Sequence, residues 1–376
     1  MSADGFEAPQ GDGLSWSEFR AQFPVLNRHR YLNAGTEGPV PAAAVAAVQA
    51  QLASDLSAGR IGQAYLDTLL GLAARAREGY ARVLGAPVES VALTESTTSG
   101  VNSVLAGLSF SPGDEIVTSD QEHPGLLAPL RRLSAVHGVR VTVAPFASIA
   151  AAVGPSTRLI ACSHVSWVGG EVVDMPALKA TGVPVLLDAA QAVGAIPVNV
   201  VRMGVDYYAG SGQKWLCGPE GSGALYVRPD RLDELEPAWP GYAAVADHDD
   251  VLGSALAPGA GRLDTAFPPA IRSAWAVAAM TVLEAAGWGW VHGRAAFMAS
   301  LLANGLADRG LAVAPRGAST LVSWAPASGD LEAEVSRLLE RGILIRSIAS
   351  HGLLRASCGA WTTEEDVAAL LAAVVR

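Results

Sequence analysis

Residues 205–227 read VDYYAGSGQKWLCGPEGSGALYV. Two short apolar runs, VDYYAG and GALYV, have the length and composition of strands, and a glycine-rich turn carrying one lysine, Lys214, separates them. Lysine favours exposed helix faces, yet this one follows an apolar segment and stands beside Trp215. One reading is a solvated cation on an ordinary loop. The other is an amine held out of water so that it can react with a carbonyl.

The same texture extends back to Val91. SVAL, DEIVTS, VRVTVAPF, TRLIACSHV and VPVLLD are short runs separated by helical stretches. That alternation predicts an α/β fold with a mostly parallel sheet covered on both faces, whose ligands collect beyond the carboxyl ends of the strands. Upstream, AAAVAAVQAQLASDL and YLDTLLGLAARAREGYARVLG read as helices. After Pro240 comes a looser Ala/Gly/Asp-rich connection and a helical stretch. STLVSWA, DLEAEVSRLLERG, ILIRS, LLRASCGA and a last helix from Thr363 then follow, the pattern of a smaller α+β C-terminal domain. The expected division is residues 1–30 as an N-terminal tail with a short helix (SWSEFRAQF), 31–260 as the large domain and 261–376 as the small one.

With 376 residues, half of them apolar, the chain is long enough for two cored domains. The net charge of −10 and the lack of a Lys/Arg run argue against nucleic acid or an anionic membrane as partner. The acidic start MSADGFEAPQGDG has no apolar core and reads as no signal peptide, and AWAVAAMTVL (274–283) is too short to span a bilayer. Cys162, Cys217 and Cys358 show no metal-type spacing, so no metal is expected, and a cytoplasmic, reduced protein is the expectation.

The strand ends carry the chemistry. SVAL runs into TESTTSG, where Ser96, Thr97 and Thr98 surround a helix N-terminus that suits a phosphate or is simply capped. DEIVTS leads to His123, fixed by Pro124 and Gly125. TRLIACSHV brings Ser163, His164 and Ser166 to the same rim, with Trp167 beyond. VPVLL ends in Asp188, three residues before Gln191; a carboxylate there meets a cation or donor, or caps a following helix. Together these groups match a phosphate-bearing ring with a carbonyl. Pyridoxal 5'-phosphate (PLP) fits: lysine for a Schiff base, carboxylate for the pyridinium nitrogen, helix N-terminus for the phosphate.

From YLNAGTEGPVP to RASCGAWTTEED, and above all in DAAQAVGAIPV and GSGQKWLCGPEGSGALYV, the chain resembles the class V aminotransferase family, which includes cysteine desulfurases, selenocysteine lyases and isopenicillin-N-epimerase-like enzymes. The resemblance implies PLP-dependent transferase fold type I and a homodimer with active sites at the subunit interface. It implies Lys214 as the Schiff-base lysine and Asp188 at the pyridine nitrogen. It places Gln191 on the ring hydroxyl, His123 on the ring face, and Thr97, Thr98, Ser211 and Gln213 on the phosphate. Arg355 matches the arginine that grips the substrate α-carboxylate.

Three departures bear on the reaction. Desulfurases carry a nucleophilic Cys on a loop before that arginine, whereas here the connection RSIASHGLLRAS has none. Trp167 replaces an Asn and makes the pocket wall bulkier and drier. In RLDTAFPP the nearest hydroxyl for a neighbouring subunit's phosphate is Thr265. The expected function is a PLP enzyme acting on a small amino acid, a C–S β-elimination lyase on cysteine or a cysteine S-conjugate. Alternatives are a cysteine desulfurase or selenocysteine lyase, an aminotransferase or epimerase, and, from another class, a PLP-binding carrier or regulator without turnover.

Overall fold

The computed structural model describes residues 13–327 and 329–374. The first twelve residues of the expected tail lie outside the described residues. Ser15 opens helix α1 (Trp16–Ala21) with a reciprocal cap: its hydroxyl accepts from the Glu18 amide, and the Glu18 carboxylate accepts from the Ser15 amide at 2.8 Å. The helix buries Phe19 edge-on against Trp290. A two-residue strand, β1 (Arg30–Tyr31), precedes two long helices, α2 (Ala42–Ala58) and α3 (Gly62–Leu84). Gly85, in the left-handed region at φ 62°, ends α3.

The sheet expected from the alternating texture follows. Its elements are β2 (Val91–Thr94), α4 (Thr97–Gly107), β3 (Glu115–Ser119), α5 (Pro124–His137), β4 (Arg140–Ala144) and β5 (Thr157–Ser163). Then come α6 (Met175–Ala180), β6 (Val185–Asp188), α7 (Val200–Met203), β7 (Tyr207–Ser211) and β8 (Gly223–Val227). The seven strands lie in the order β2-β8-β7-β6-β5-β3-β4. Only β8 runs against its neighbours. Strands β6 and β7 are buried at every residue because both faces are covered, which is why they read as continuous apolar runs. Successive residues feed opposite cores. Ile160 and Cys162 pack with Tyr80, Met280 and Leu283, whereas Leu159 and Ala161 pack with Val101, Leu126 and Leu130.

The remainder contains α8 (Ala270–Ala286), α9 (Trp288–Ala307), β9 (Leu321–Trp324), α10 (Leu331–Glu340), β10 (Ile343–Leu344), β11 (Arg346–Ile348), β12 (Leu353–Ser357) and α11 (Glu364–Ala373). The run AWAVAAMTVL lies inside α8, whose buried face includes Ala279, Met280 and Leu283. Strands β11-β12-β9 form an antiparallel sheet over a separate core that includes Leu302, Trp324, Leu354 and Leu370.

The expected strand ILIRS is in fact two. Ile343 and Leu344 pair in parallel with Arg30 and Tyr31, while Arg346 begins a hairpin opposite Arg355. The N-terminal segment takes the first half of the run as its partner, so the chain changes sheets at Ile345. Asn33 bridges to Ser357, which leads residues 35–37 over the strand ends of the large sheet. Among the described residues no helix is long and apolar enough to cross a membrane, and no cluster of His, Cys, Asp or Glu is placed to hold a metal.

Candidate active site

Elements distant in sequence converge on one cavity of about 240 Å³. β2 delivers Ser96, Thr97 and Thr98; β3 delivers His123; β6 delivers Asp188 and Gln191. β7 delivers Ser211, Gln213 and Lys214, and the β11–β12 hairpin delivers Arg346 and Arg355. The lysine turn is pinned by Cys217, whose amide donates to the Lys214 carbonyl at 3.1 Å. Cys217 is the single non-glycine residue among those described with positive φ (56°), a backbone state that costs of order 1–3 kcal/mol.

Burial pushes the Lys214 ammonium down to about 8, with the nearby Asp188 charge pulling the other way. Asp188 is buried, and its Oδ1 accepts from the Ala190 amide at 3.0 Å. Desolvation pushes its carboxyl up. Residues 190–195 are a run of turns, so Asp188 caps no helix. The Gln191 amide donates to the Gly35 carbonyl at 2.7 Å, and its oxygen accepts from the Trp215 indole at 3.1 Å. Gly35 leaves no room for a side chain, because a Cβ there would lie 2.7 Å from Ser357 Oγ and 3.0 Å from both Arg355 Nη2 and Gln191 Oε1.

His123 caps α5 through Nδ1, which accepts from Gly125 at 3.0 Å, and its ring meets Trp167 edge-on at 5.0 Å. Burial, then the charges of Lys214, Arg346 and Arg355, push it down to about 4, so the ring is neutral at pH 7. Arg355 is 0% exposed; Nη1 donates to the Trp167 carbonyl at 2.6 Å, while Nε and Nη2 have no partner. Burial and the neighbouring Arg346 lower it to about 9.

The polar atoms left over test the fit to a phosphate-bearing ring. Thr97 Oγ1, Ser211 Oγ and Gln213 Oε1 are buried without partners on the wall beside the α4 N-terminus, and burying polar groups unpaired is costly. An anion at that helix end would satisfy the hydroxyls and meet the positive dipole end. Asp188 across the cavity suits a protonated ring nitrogen. The residues present fit the cofactor expected from the sequence.

Some expected rim residues are elsewhere. Ser163 donates from Oγ and from its amide to Glu122, a buried carboxylate pushed up to about 7 by desolvation. His164 is held in the core by a 2.7 Å bond between Nδ1 and the Tyr208 hydroxyl, and Ser166 donates to Gln121. Of that group only Trp167 lines the cavity. Thr265 is exposed and lies outside it. The sequence reading had not singled out Thr36, Glu37 or Arg346, all of which line the wall. Arg346 lies directly across the hairpin from Arg355, a register that only the structure supplies.

The family model for class-V aminotransferases matches residues 30–370. Isopenicillin N epimerase of Streptomyces clavuligerus is 33% identical over 250 residues, 61% of each chain, so the match covers less than two thirds of that relative. The cysteine desulfurase CsdA of Escherichia coli is 29% identical over 96% of this chain and 97% of its own. Among solved structures, the cystine C–S lyase C-DES in complex with its product cysteine persulfide aligns with a TM-score of 0.89 at 29% identity, over 94% of this chain and 99% of that one. A lysine mutant of C-DES, with glycine covalently linked to the PLP cofactor, aligns with a TM-score of 0.90 at 29% identity, over 94% and 98%.

Proposed function

This chain belongs to the class-V aminotransferase family and is a PLP-dependent enzyme, and on that premise we propose that it cleaves the Cβ–S bond of cysteine or a cysteine S-conjugate by β-elimination. When bound, the cofactor supplies the electron sink that lets Cα give up its proton. Thr97, Thr98, Ser211 and Gln213 would hold its phosphate at the α4 N-terminus. Asp188 would keep a proton on the ring nitrogen, Gln191 would meet the ring hydroxyl, and the uncharged His123 would cover the ring. Arg355 takes the α-carboxylate, and Trp167 keeps that corner dry. Lys214 accepts the Cα proton as general base. The electron pair of the Cβ–S bond would leave with sulfur as a thiolate, and with one water consumed the net products would be a keto acid, ammonia and the thiol.

One observation carries the choice of elimination over sulfur transfer to an enzyme thiol. The turn between β11 and β12, residues 349–352, is Ala-Ser-His-Gly, and all three cysteines are buried and free. Desolvation pushes the Cys162 and Cys217 thiols far up and Cys358 up to about 12, which leaves them poor nucleophiles. A panel of cysteine and its S-conjugates, with keto acid, ammonia and released thiol measured together, should show all three products in equal amounts. Replacing the three cysteines should leave turnover within about tenfold, under ~1.4 kcal/mol of barrier. A folded, PLP-loaded, cysteine-free protein that is dead would overturn the elimination reading.

The family resemblance also supports a homodimer with Thr265 near the partner's phosphate site. Val45, Leu52 and Leu56 on α2, with Leu56 89% exposed, offer apolar area for that contact. Light scattering at micromolar concentration should give twice the chain mass. A fully active monomer would contradict it.

A further inference from the structure

Glu37 is one of two carboxylates, with Asp188, on the cavity wall. Its backbone is fixed: the Tyr31 hydroxyl donates to its carbonyl at 3.0 Å, its amide donates to Asn33, and the next amide, Gly38, donates to Gln213 at 2.8 Å. Its half-buried carboxylate takes no hydrogen bond and lies in no ion pair among the described residues. Burial and the nearby Glu220 hold it up to about 7, against the pull of Lys214.

Arg346 stands on the same wall. Its Nη1 donates to Thr36 Oγ1 at 3.4 Å and its Nε to the Ser347 carbonyl, and it too lies in no ion pair among the described residues. Glu37 and Arg346, both half-buried, thus line one cavity on either side of Thr36 without an ion pair between them, and Glu37 also borders the neighbouring cavity that Glu220 lines. Holding unpaired charge out of water is costly, and an incoming group of opposite charge removes the cost. The α-carboxylate end of the substrate is already assigned to Arg355 and the reacting carbon to Lys214. What remains for Glu37 is the far end of the sulfur substituent.

We propose that Glu37 is a specificity-determining residue that receives a protonated amine at the end of that substituent, so that the preferred substrates are cysteine S-conjugates with an amine-bearing tail. The inference rests on the elimination reading above. Arg346 beside it favours tails that carry a carboxylate as well. An ammonium at Glu37 offsets both influences that disfavour its ionised form, so its charge is fully expressed only when the substrate is present.

The probes are S-(2-aminoethyl)cysteine and S-propylcysteine, equal in shape, with a methyl in place of the ammonium. The PLP-loaded wild type should favour the amine by about tenfold or more in kcat/KM, the scale of a charged hydrogen bond. Glu37→Gln should lose that preference through a higher KM for the amine, with kcat little changed and S-propylcysteine unaffected. Calorimetric binding of both compounds to the Lys214→Ala protein, which cannot turn them over, should show the same preference, again abolished by adding Glu37→Gln. Equal handling of the two compounds by the wild type, or a preference that survives Glu37→Gln, overturns the proposal. If neither compound is cleaved, the binding preference in the Lys214→Ala protein alone decides the role of Glu37, while the wider panel decides the elimination reading.

Discussion

Lys214→Ala should lower turnover by about a thousandfold or more, the range lost with a general base in place, while the protein still folds. The side chain reaches the cavity from a turn whose shape is set by backbone bonds, Cys217 to Lys214 and Gly38 to Gln213, so its removal leaves the wall standing. Burial lowers its ammonium to about 8. The neutral, proton-accepting amine therefore grows as pH rises through that value, and the base-dependent rate should climb from pH 6 and level off above about pH 9. Lys214→Arg separates charge from basicity: a guanidinium keeps the charge but holds its proton at any working pH, so it should be as inactive as the alanine variant. Borohydride reduction of the wild type followed by peptide mass mapping should place the cofactor on Lys214. Lys179, the other lysine of the chain, pairs with Asp206 at 3.5 Å, and an adduct there would remove Lys214 from the mechanism.

Which parts of this site could be read from the sequence follows from how each residue reaches it. Asp188 ends a strand buried at every residue, and Lys214 and Thr97 lie three residues past the ends of theirs; such strands appear as apolar runs ending near a polar residue. Glu37 and Arg346 arrive differently. The Glu37 segment is positioned by the two-residue pairing of β1 with β10 and by the bridge from Asn33 to Ser357, contacts more than 300 residues apart that leave no periodicity behind, while Arg346 depends on where the chain changes from β10 to the hairpin with β12. His164 fails for a third reason. Being near the strand's end put it at the rim in the sequence reading, but the Tyr208 hydroxyl, buried on a nearby strand, takes its ring into the core. Ser163 is lost in the same way to Glu122, whose buried carboxylate needs its two donors more than the cavity does. Propensity and pattern locate a strand end; they do not say which buried polar group nearby needs a partner.

Arg355→Ala should raise KM for every amino-acid substrate by about a hundredfold or more, since a bidentate carboxylate pair involves two charged hydrogen bonds of roughly 1.5–3 kcal/mol each. The guanidinium is set up for this. One nitrogen is anchored on the Trp167 carbonyl, and the other two are buried and unpartnered. Arg355→Lys should recover only part of the affinity, because a point charge cannot reproduce the planar fork. The same geometry makes a prediction for stability. In the free protein this side chain is fully buried, lies in no ion pair among the described residues, and faces Arg346 across the hairpin. Burial and that like charge both disfavour its charged form, as its lowering to about 9 reflects. Replacing it with the similarly sized, apolar methionine removes the charge without opening a large void, so Arg355→Met should melt at or above the wild-type temperature while binding substrate poorly. A substantially lower melting temperature, with KM unchanged, would mean that Arg355 is a structural strut for the Trp167 segment. Loss of affinity with stability kept or gained is the signature of a charge held buried for its substrate.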